Sequence, residues 1–140
     1  MSRIFAVFML AFGLLAGAAT AQAKVVARIN IAQQKMEVSV DGKVQHVWRV
    51  STARKGFVTP RGTYAPKRMH VKYYSKKYYN SPMPYSIFFK GGYAVHGTNA
   101  VSKLGAPASH GCIRLATGNA AKLFSLVRQH GSGKARIVIT

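Results

Sequence analysis

Apolar and polar residues alternate in short runs between Val25 and Val50. A two-residue period places successive apolar side chains on one face of an extended strand, whereas an amphipathic helix needs a period of about 3.6 residues. Asp41-Gly42 interrupts the alternation, and an Asp-Gly pair between apolar runs is a strong hairpin signal. The pattern therefore predicts short strands in this region, two of which are joined at Asp41-Gly42.

A turn and a further extended stretch follow. Thr59-Pro60-Arg61-Gly62-Thr63-Tyr64 combines a proline that fixes its own φ with a glycine that permits a sharp reversal. We predict a strand from about Thr63 to Val71 after this turn. Residues 72–84 are rich in Tyr and Lys and end in Pro82-Met83-Pro84, which indicates a long hairpin or lid loop. Its tyrosines either contact a substrate or pack on the sheet below.

The remaining strands are predicted near Gly91-Gly92 and at the end of the chain. The two glycines separate the apolar stretches Tyr85–Lys90 and Tyr93–His96, an arrangement typical of a tight hairpin. A last strand is predicted over residues 135–140.

One helix is predicted between these strands. Its apolar residues recur at helical spacing, namely at Ala120, Leu123, Phe124 and Val127. We expect Thr117 to cap its start and Gly131 to end it. The chain has 140 residues, without internal repeats, low-complexity tracts or linkers. It is therefore predicted to form a single, mostly β domain with one helix.

The N-terminal residues differ from this domain. A basic start at Arg3 is followed by an apolar run, Ile4–Ala18, and by Ala21-Gln22-Ala23, which matches a signal-peptidase site. The run contains glycines and is shorter than the roughly 20 residues of a membrane span, so a retained anchor is the weaker alternative. We predict a cleaved signal peptide over residues 1–23, a mature domain over residues 24–140, and a location in the periplasm or cell wall.

The chain is strongly basic, with 21 Lys and Arg residues, two acidic residues and a formal net charge of +19. Such a domain is attracted to polyanions. In an exported protein these are lipopolysaccharide, anionic lipids, teichoic acids or the carboxylates of wall peptides. We therefore expect an anionic wall or membrane surface as partner and no nucleic acid; nucleic-acid binding would require the export prediction to be wrong.

Cys112 is the only cysteine, so it cannot form an internal disulfide in an oxidising compartment. Taken alone, it could be a small core residue, and His96 and His110 could be structural histidines. Together they supply a thiol, candidate bases and, at Gly111, backbone close to the thiol. A catalytic cysteine needs these groups nearby, because a thiol is a poor nucleophile until it loses its proton.

The chain resembles the L,D-transpeptidase catalytic domains of the YkuD type. The resemblance rests on His96-Gly97-Thr98 followed by Ser109-His110-Gly111-Cys112-Ile113-Arg114-Leu115, and it spans about residues 25–140. It includes Asp41-Gly42, Val50-Ser51-Thr52, the turn after Thr59, and Met83-Pro84-Tyr85. It implies a mainly β fold, a β-sandwich or barrel with one α-helix after the nucleophile loop.

The resemblance also implies roles for the motif residues. Cys112 matches the nucleophile, His96 the proton acceptor and donor, and Gly97 the residue whose carbonyl orients that histidine. His110 and Gly111 match positions that shape the nucleophile loop and oxyanion hole.

On the substrate side, the resemblance implies roles for Arg114, Ser109, Tyr85 and Met83, with Ser109 also supporting the nucleophile loop. Ser86 stands where many family members have an aromatic residue. The five histidines show neither an i,i+4 pair nor a carboxylate partner typical of a zinc site, so we expect no metal and no cofactor.

The implied reaction is attack of the Cys112 thiolate on the L,D-peptide bond of a peptidoglycan tetrapeptide stem, with release of D-alanine and formation of a thioester. An amine of another stem or of an envelope protein, a free D-amino acid or water then accepts the acyl group; water would make the protein an L,D-carboxypeptidase. The other alternative is a non-catalytic polycationic protein that binds the cell wall or lipopolysaccharide.

Overall fold

The computed structural model describes residues 23–140, which form two main β-sheets and one α-helix. In chain order the strands are β1 (Val25–Asn30), β2 (Lys35–Val40), β3 (Lys43–Arg49), β4 (Gly62–Tyr64), β5 (Arg68–His70), β6 (Tyr74–Ser75), β7 (Ser81–Pro82), β8 (Ser86–Lys90), β9 (Tyr93–Thr98), β10 (Ile113–Ala116) and β11 (Ala135–Ile139). The helix α1 spans Thr117–His130, and short 3₁₀ turns lie at Val101–Lys103 and Ser132–Lys134. The predicted mainly β fold with one α-helix is confirmed.

The larger sheet has the strand order β3-β2-β1-β11-β4. The first and last strands of the described residues, β1 and β11, pair in parallel within this sheet, and β1 lies at its centre next to β11. Alternate residues of both strands are buried, as the two-residue period predicts. The predicted hairpin at Asp41-Gly42 is confirmed, and both residues have positive φ, as a tight hairpin turn requires.

The second sheet has the order β10-β9-β8-β5, with β9 and β10 parallel and the other pairs antiparallel. β8 is buried on both faces. Ile87 and Phe89 belong to the main core, whereas Phe88 belongs to a smaller cluster with Met83 and Ala94 on the opposite face. This sheet therefore separates the core from a second, partly apolar surface.

Helix α1 packs on the core side of the second sheet, mainly against β9 and β10. Its buried residues are those predicted from helical spacing, Ala120, Leu123, Phe124 and Val127. Gly131 follows the helix with φ of 92°, so the predicted helix end is confirmed. The predicted cap is wrong: Thr117 is the first helical residue, and its hydroxyl donates to the carbonyl of Thr98 at 3.3 Å.

The single strand predicted from Thr63 to Val71 is also wrong. The segment forms β4 and β5, which belong to different sheets: β4 pairs with β11 and β5 with β8. Between them lies Pro66, which is buried and has no amide hydrogen to donate to a ladder. The chain passes from one sheet to the other at this point.

The predicted signal peptide, residues 1–23, lies outside the described residues except for Ala23. Among residues 23–140, α1 is the only α-helix, and neither it nor any shorter turn has the length and apolar character needed to cross a bilayer.

Truncation of Leu123 to Ala should lower the free energy of unfolding by about 2–5 kcal/mol, since it leaves a cavity between α1 and the sheet without lowering helix propensity. Urea unfolding followed by circular dichroism measures this difference. The matched control is Ser125→Ala on the exposed face of the same helix. Equal midpoints for the two variants would contradict this packing.

Candidate active site

Three candidate site residues lie on one face of the second sheet. His96 pairs with Arg114 across β9 and β10, and Cys112 precedes Arg114 by two residues. Side chains alternate along a strand, so Cys112 and Arg114 point to the same face, and neighbouring strands lie about 4.8 Å apart. The register therefore brings the thiol, the imidazole and the guanidinium together on the side opposite the main core.

This face forms the floor of a cavity of about 690 Å³. The cavity is lined by Cys112, His96, Gly97, His110, Arg114 and Met83 among the predicted residues. Its other wall is the hairpin of β6 and β7, which we call the lid hairpin (residues 73–84). The lid interpretation of this Tyr- and Lys-rich stretch is thus consistent with its place beside the cavity.

His96 is buried, with its side chain fixed from one side. Its Nδ1 lies 2.8 Å from the carbonyl oxygen of Gly97, so Nδ1 carries the hydrogen and Nε2 presents a lone pair. Burial lowers the pKa of His96 to about 4, the bond to the Gly97 carbonyl opposes this shift, and the charge of Arg114 adds to it. His96 is therefore neutral at neutral pH and able to accept a proton.

The atoms packed around Gly97 leave no space for a side chain. A Cβ atom at this position would lie 2.9 Å from the Cα of Thr117 and 3.1 Å from the Cγ of Pro84. β9 therefore packs directly against the start of α1 at the residue whose carbonyl holds His96. The role predicted for Gly97, orienting His96 through its carbonyl, stays a prediction that the 2.8 Å contact with His96 Nδ1 supports.

Cys112 is partly buried beside the turn between β8 and β9. Its Sγ lies 3.8 Å from the carbonyl oxygen of Gly92, to which the thiol donates. Burial raises the pKa of the Cys112 thiol, whereas the Ala94 amide and the charge of Arg114 lower it. The net rise means that the Cys112 thiol, like the His96 imidazole in the same cavity, is neutral at neutral pH.

The loop that carries the cysteine, residues 105–112, is fixed by the segment after β3. The amide of Gly105 donates to the carbonyl of Val50 at 2.9 Å, and the amide of Ser109 donates to that of Thr52 at 2.9 Å. Ser51 and Arg114 exchange backbone hydrogen bonds. This cysteine loop is thus held as an extension of regular backbone pairing.

Two hydroxyl groups fix the cysteine loop from within. Ser109 Oγ donates to the carbonyl of Cys112 at 2.6 Å and accepts from the amide of Gly111 at 3.0 Å. Thr59 Oγ1 donates to the carbonyl of Gly111 at 2.9 Å and accepts from the amide of Ala53 at 3.0 Å. Both side chains are buried, so these bonds are protected from water.

Gly111 allows the sharp approach of the loop to the sheet. Its φ is +130°, and a Cβ atom there would lie 2.5 Å from Cε1 of Tyr93 and 2.8 Å from the carbonyl oxygen of Val58. Its amide is already bonded to Ser109 Oγ. Gly111 therefore shapes the loop and its own amide is engaged within it, while its predicted part in forming an oxyanion hole stays a prediction.

His110 connects the cysteine loop to the lid hairpin. It stacks on Tyr78, with ring centroids 4.1 Å apart and planes at 8°, and meets the edge of Phe57 at 4.7 Å. Partial burial, followed by the charges of Arg54, Arg114 and Lys77, lowers its pKa, so His110 is also neutral at neutral pH. An uncharged aromatic stack thus joins the lid to the loop.

Two of the predicted substrate-binding residues lie elsewhere. Ser109 is fully buried beneath the loop, where it supports the cysteine and has no surface for a ligand. Tyr85 packs into the main core against Phe124, with ring centroids 5.7 Å apart. Neither position fits the predicted contact with substrate, whereas Arg114 and Met83 do line the cavity.

Sequence patterns do not identify several residues that the structure places at the site. Thr59 begins the predicted turn, but its hydrogen bond joins residues 52 positions apart. No sequence pattern around Thr59 predicts that it contacts Gly111. The sequence marks residues 72–84 only as a Tyr- and Lys-rich stretch. The structure places three of these residues at the cavity, namely Lys76, Lys77 and Tyr78. Within residues 23–140, no three His, Cys, Asp or Glu side chains cluster in a way that could hold a metal ion.

Solved structures define the class of this fold. An L,D-transpeptidase from Mycobacterium smegmatis superposes with a TM-score of 0.75 at 26% identity, covering 84% of this chain and 59% of that chain. One from Xylanimonas cellulosilytica gives a TM-score of 0.68 at 27% identity, covering 85% of this chain and 61% of that chain. The domain therefore has the L,D-transpeptidase fold.

Sequence comparison gives the family. The YkuD model, described as an L,D-transpeptidase catalytic domain, matches residues 24–139. The chain belongs to this family. YqjB of Bacillus subtilis, which bears the L,D-transpeptidase name, is 30% identical over 112 residues, covering 71% of this chain and 64% of its own length. The chain thus spans less than two thirds of these relatives.

Replacement of Thr59 by Val should cost about 1–3 kcal/mol of stability and change the alkylation rate of Cys112, because the isosteric side chain leaves the Gly111 carbonyl and Ala53 amide unpaired. Thr59→Ser keeps the hydroxyl and is the matched control. Urea unfolding and timed alkylation measure both effects. Identical behaviour of the Val and Ser variants would show that this hydroxyl does not hold the loop.

Proposed function

We propose that this protein is a peptidoglycan L,D-transpeptidase in which Cys112 is the nucleophile and His96 transfers protons. The observation that carries the proposal is the register of β9 and β10, which places the only thiol and a neutral, oriented imidazole on the floor of one cavity. Family membership supports an acyltransferase, and the Cys–His pair supports a thioester route. Action outside the cytoplasm, after removal of residues 1–23, is part of the proposal.

The first step is acylation of the cysteine. Nε2 of His96 takes the proton of the Cys112 thiol as Sγ attacks the carbonyl carbon of the L,D-peptide bond. The carbon–nitrogen bond then breaks, His96 returns the proton to the departing amine of D-alanine, and the stem remains as a thioester on Cys112. Arg114, on the same face, supplies positive charge near the sulfur and near the developing oxyanion.

The second step transfers the acyl group. An acceptor amine gives its proton to His96 and attacks the thioester carbonyl, the carbon–sulfur bond breaks, and His96 returns the proton to Sγ. The acceptor is the side-chain amine of another stem, an amine of an envelope protein or a free D-amino acid. Water in the same position would make the reaction an L,D-carboxypeptidation.

Because Cys112 and His96 are both neutral at neutral pH, we propose that proton transfer accompanies attack on the substrate. A permanent thiolate–imidazolium pair would require a low thiol pKa and a high imidazole pKa. The pKa values here move in the opposite directions, since burial penalises both charged forms. A neutral thiol also limits reaction of this single cysteine with oxidants when no substrate is bound.

Disaccharide-tetrapeptide stems incubated with the intact protein should give cross-linked dimers or lose D-alanine, as measured by mass spectrometry. Cys112→Ala should abolish both products, and His96→Gln should lower kcat/KM by about 10²–10⁴-fold because the base is lost. His46→Gln is the control, since His46 stacks on Trp48 in the other sheet. Undiminished product with Cys112→Ala, or no product from any stem type, would exclude the proposal.

Alkylation of Cys112 by iodoacetamide should accelerate steadily from about pH 5 to pH 9, since the reactive thiolate forms only as pH approaches the raised thiol pKa. His96→Gln should leave this profile almost unchanged, because a neutral His96 does not stabilise the thiolate. Timed mass spectrometry at each pH gives the rates. A pH-independent plateau near neutrality that His96→Gln removes would instead indicate a preformed ion pair.

A further inference from the structure

The walls of the cavity hold positive charge without negative charge. Lys76 and Lys77 project from the lid hairpin, and Arg114 lies on the sheet opposite. No acidic residue lines the cavity. Within the described part of the chain the acidic residues are Glu37 and Asp41, which lie on β2 and in the turn after it, in the other sheet.

The only ion pair within residues 23–140 joins Lys24 and Asp41 at 3.7 Å, and neither residue lines the cavity. The cations of the cavity therefore have no acidic partner within residues 23–140. A cleft lined by one sign of charge concentrates oppositely charged ligands, because its low-dielectric walls focus the field.

Cations from the lid hairpin and from the sheet act on the same side chain, His110. Lys77 Nζ is 5.5 Å from the centroid of the Tyr78 ring, which itself lies 4.1 Å from His110. Arg114 and Lys77 both act on His110, and burial together with the charge of Arg54 lowers the pKa of Arg114. An anion bound between the lid hairpin and the sheet would be attracted by the charges of both Lys77 and Arg114.

We propose that Lys76 and Lys77, facing Arg114 across the cavity, form a carboxylate-binding subsite that selects stem peptides with free rather than amidated side carboxylates. The inference rests on the proposed function and names the donor stem that the site prefers. A tetrapeptide stem carries side carboxylates on the acyl side of the bond that is cleaved, at its D-glutamyl residue and, where the third residue is a diamino diacid, at that residue too. The carboxylate of the departing D-alanine, on the other side, is the same in free and amidated stems. Amidation removes these charges without changing the length of the stem.

The two kinds of cation suit different parts of this task. Arg114 is partly buried and lies beside His96, where a planar guanidinium can bind a carboxylate through two parallel hydrogen bonds. Lys76 and Lys77 are exposed, and their long flexible side chains can adjust to the position of a carboxylate. Exposure also limits the effect of each lysine, because water and salt screen its charge.

The test compares stems with free carboxylates against the same stems amidated, with kcat/KM as the readout. Wild type should prefer the free stem by about 10-fold, and Lys76→Gln/Lys77→Gln should reduce this preference to about twofold or less, mainly by raising KM for the free stem. Lys76→Arg/Lys77→Arg should retain the preference. Raising the ionic strength should weaken the preference of wild type and leave the Gln variant nearly unaffected.

Lys122→Gln/Lys134→Gln is the matched control. It removes the same two charges from exposed positions on and after α1, away from the cavity, and should keep the wild-type preference. Equal kcat/KM for free and amidated stems with wild type would overturn the inference. A preference that survives in Lys76→Gln/Lys77→Gln, or that falls equally in both double variants, would overturn it too.

Failure of the subsite can be distinguished from failure of the proposed function. Acyl transfer from both stem types without preference leaves the transpeptidase proposal intact and overturns the subsite alone. Calorimetric titration of Cys112→Ala with the two stems measures binding without chemistry, and tighter binding of the free stem is the expected result. Equal binding of the two stems would overturn the subsite, whatever the activity of the intact protein.

Discussion

The parallel pairing of β9 and β10 is the constraint on which the rest of the site depends. Parallel neighbours cannot be joined by a tight turn, so the chain must leave the end of β9 and return to the beginning of β10. Here the return is made by a long loop instead of a helix, and the cysteine lies at its end. Such a loop keeps a fixed shape only if other backbone satisfies its polar groups, and the segment Val50–Thr52 provides these partners.

This constraint also explains why the polar network beneath the loop is buried. Gln34, which follows β1, donates from Nε2 to Thr52 Oγ1 at 2.6 Å and accepts from the Thr52 amide at 2.9 Å. Thr59 and Ser109 then continue the contacts to Gly111 and Cys112. Each buried side-chain polar atom of this network has a hydrogen-bond partner. These bonds fix a loop of small and polar residues while its thiol stays at the cavity.

Much of the fold could be predicted from the sequence because its strands alternate in polarity and its turns use Asp-Gly and Gly-Gly. The split of residues 63–71 between two sheets was missed, since apolar alternation does not reveal which partner a strand takes. Cys112 and His96 could be selected because they belong to two short motifs that follow one another closely in the sequence. Thr59 and the place of Tyr85 could not, because contacts across 52 residues or into the core depend on the tertiary fold.

Arg114 has opposing effects on the two groups beside it. The charge of Arg114 favours the Cys112 thiolate but disfavours the His96 imidazolium. The two effects oppose each other, so Arg114 by itself does little to favour transfer of the proton from Cys112 to His96. A carboxylate bound to Arg114 would offset its charge, which would make His96 a stronger base while making the thiolate harder to form. In the proposed reaction, the proton affinity that matters for acylation is therefore a property of the complex with substrate, and the charge of a bound stem would affect the chemistry as well as recognition.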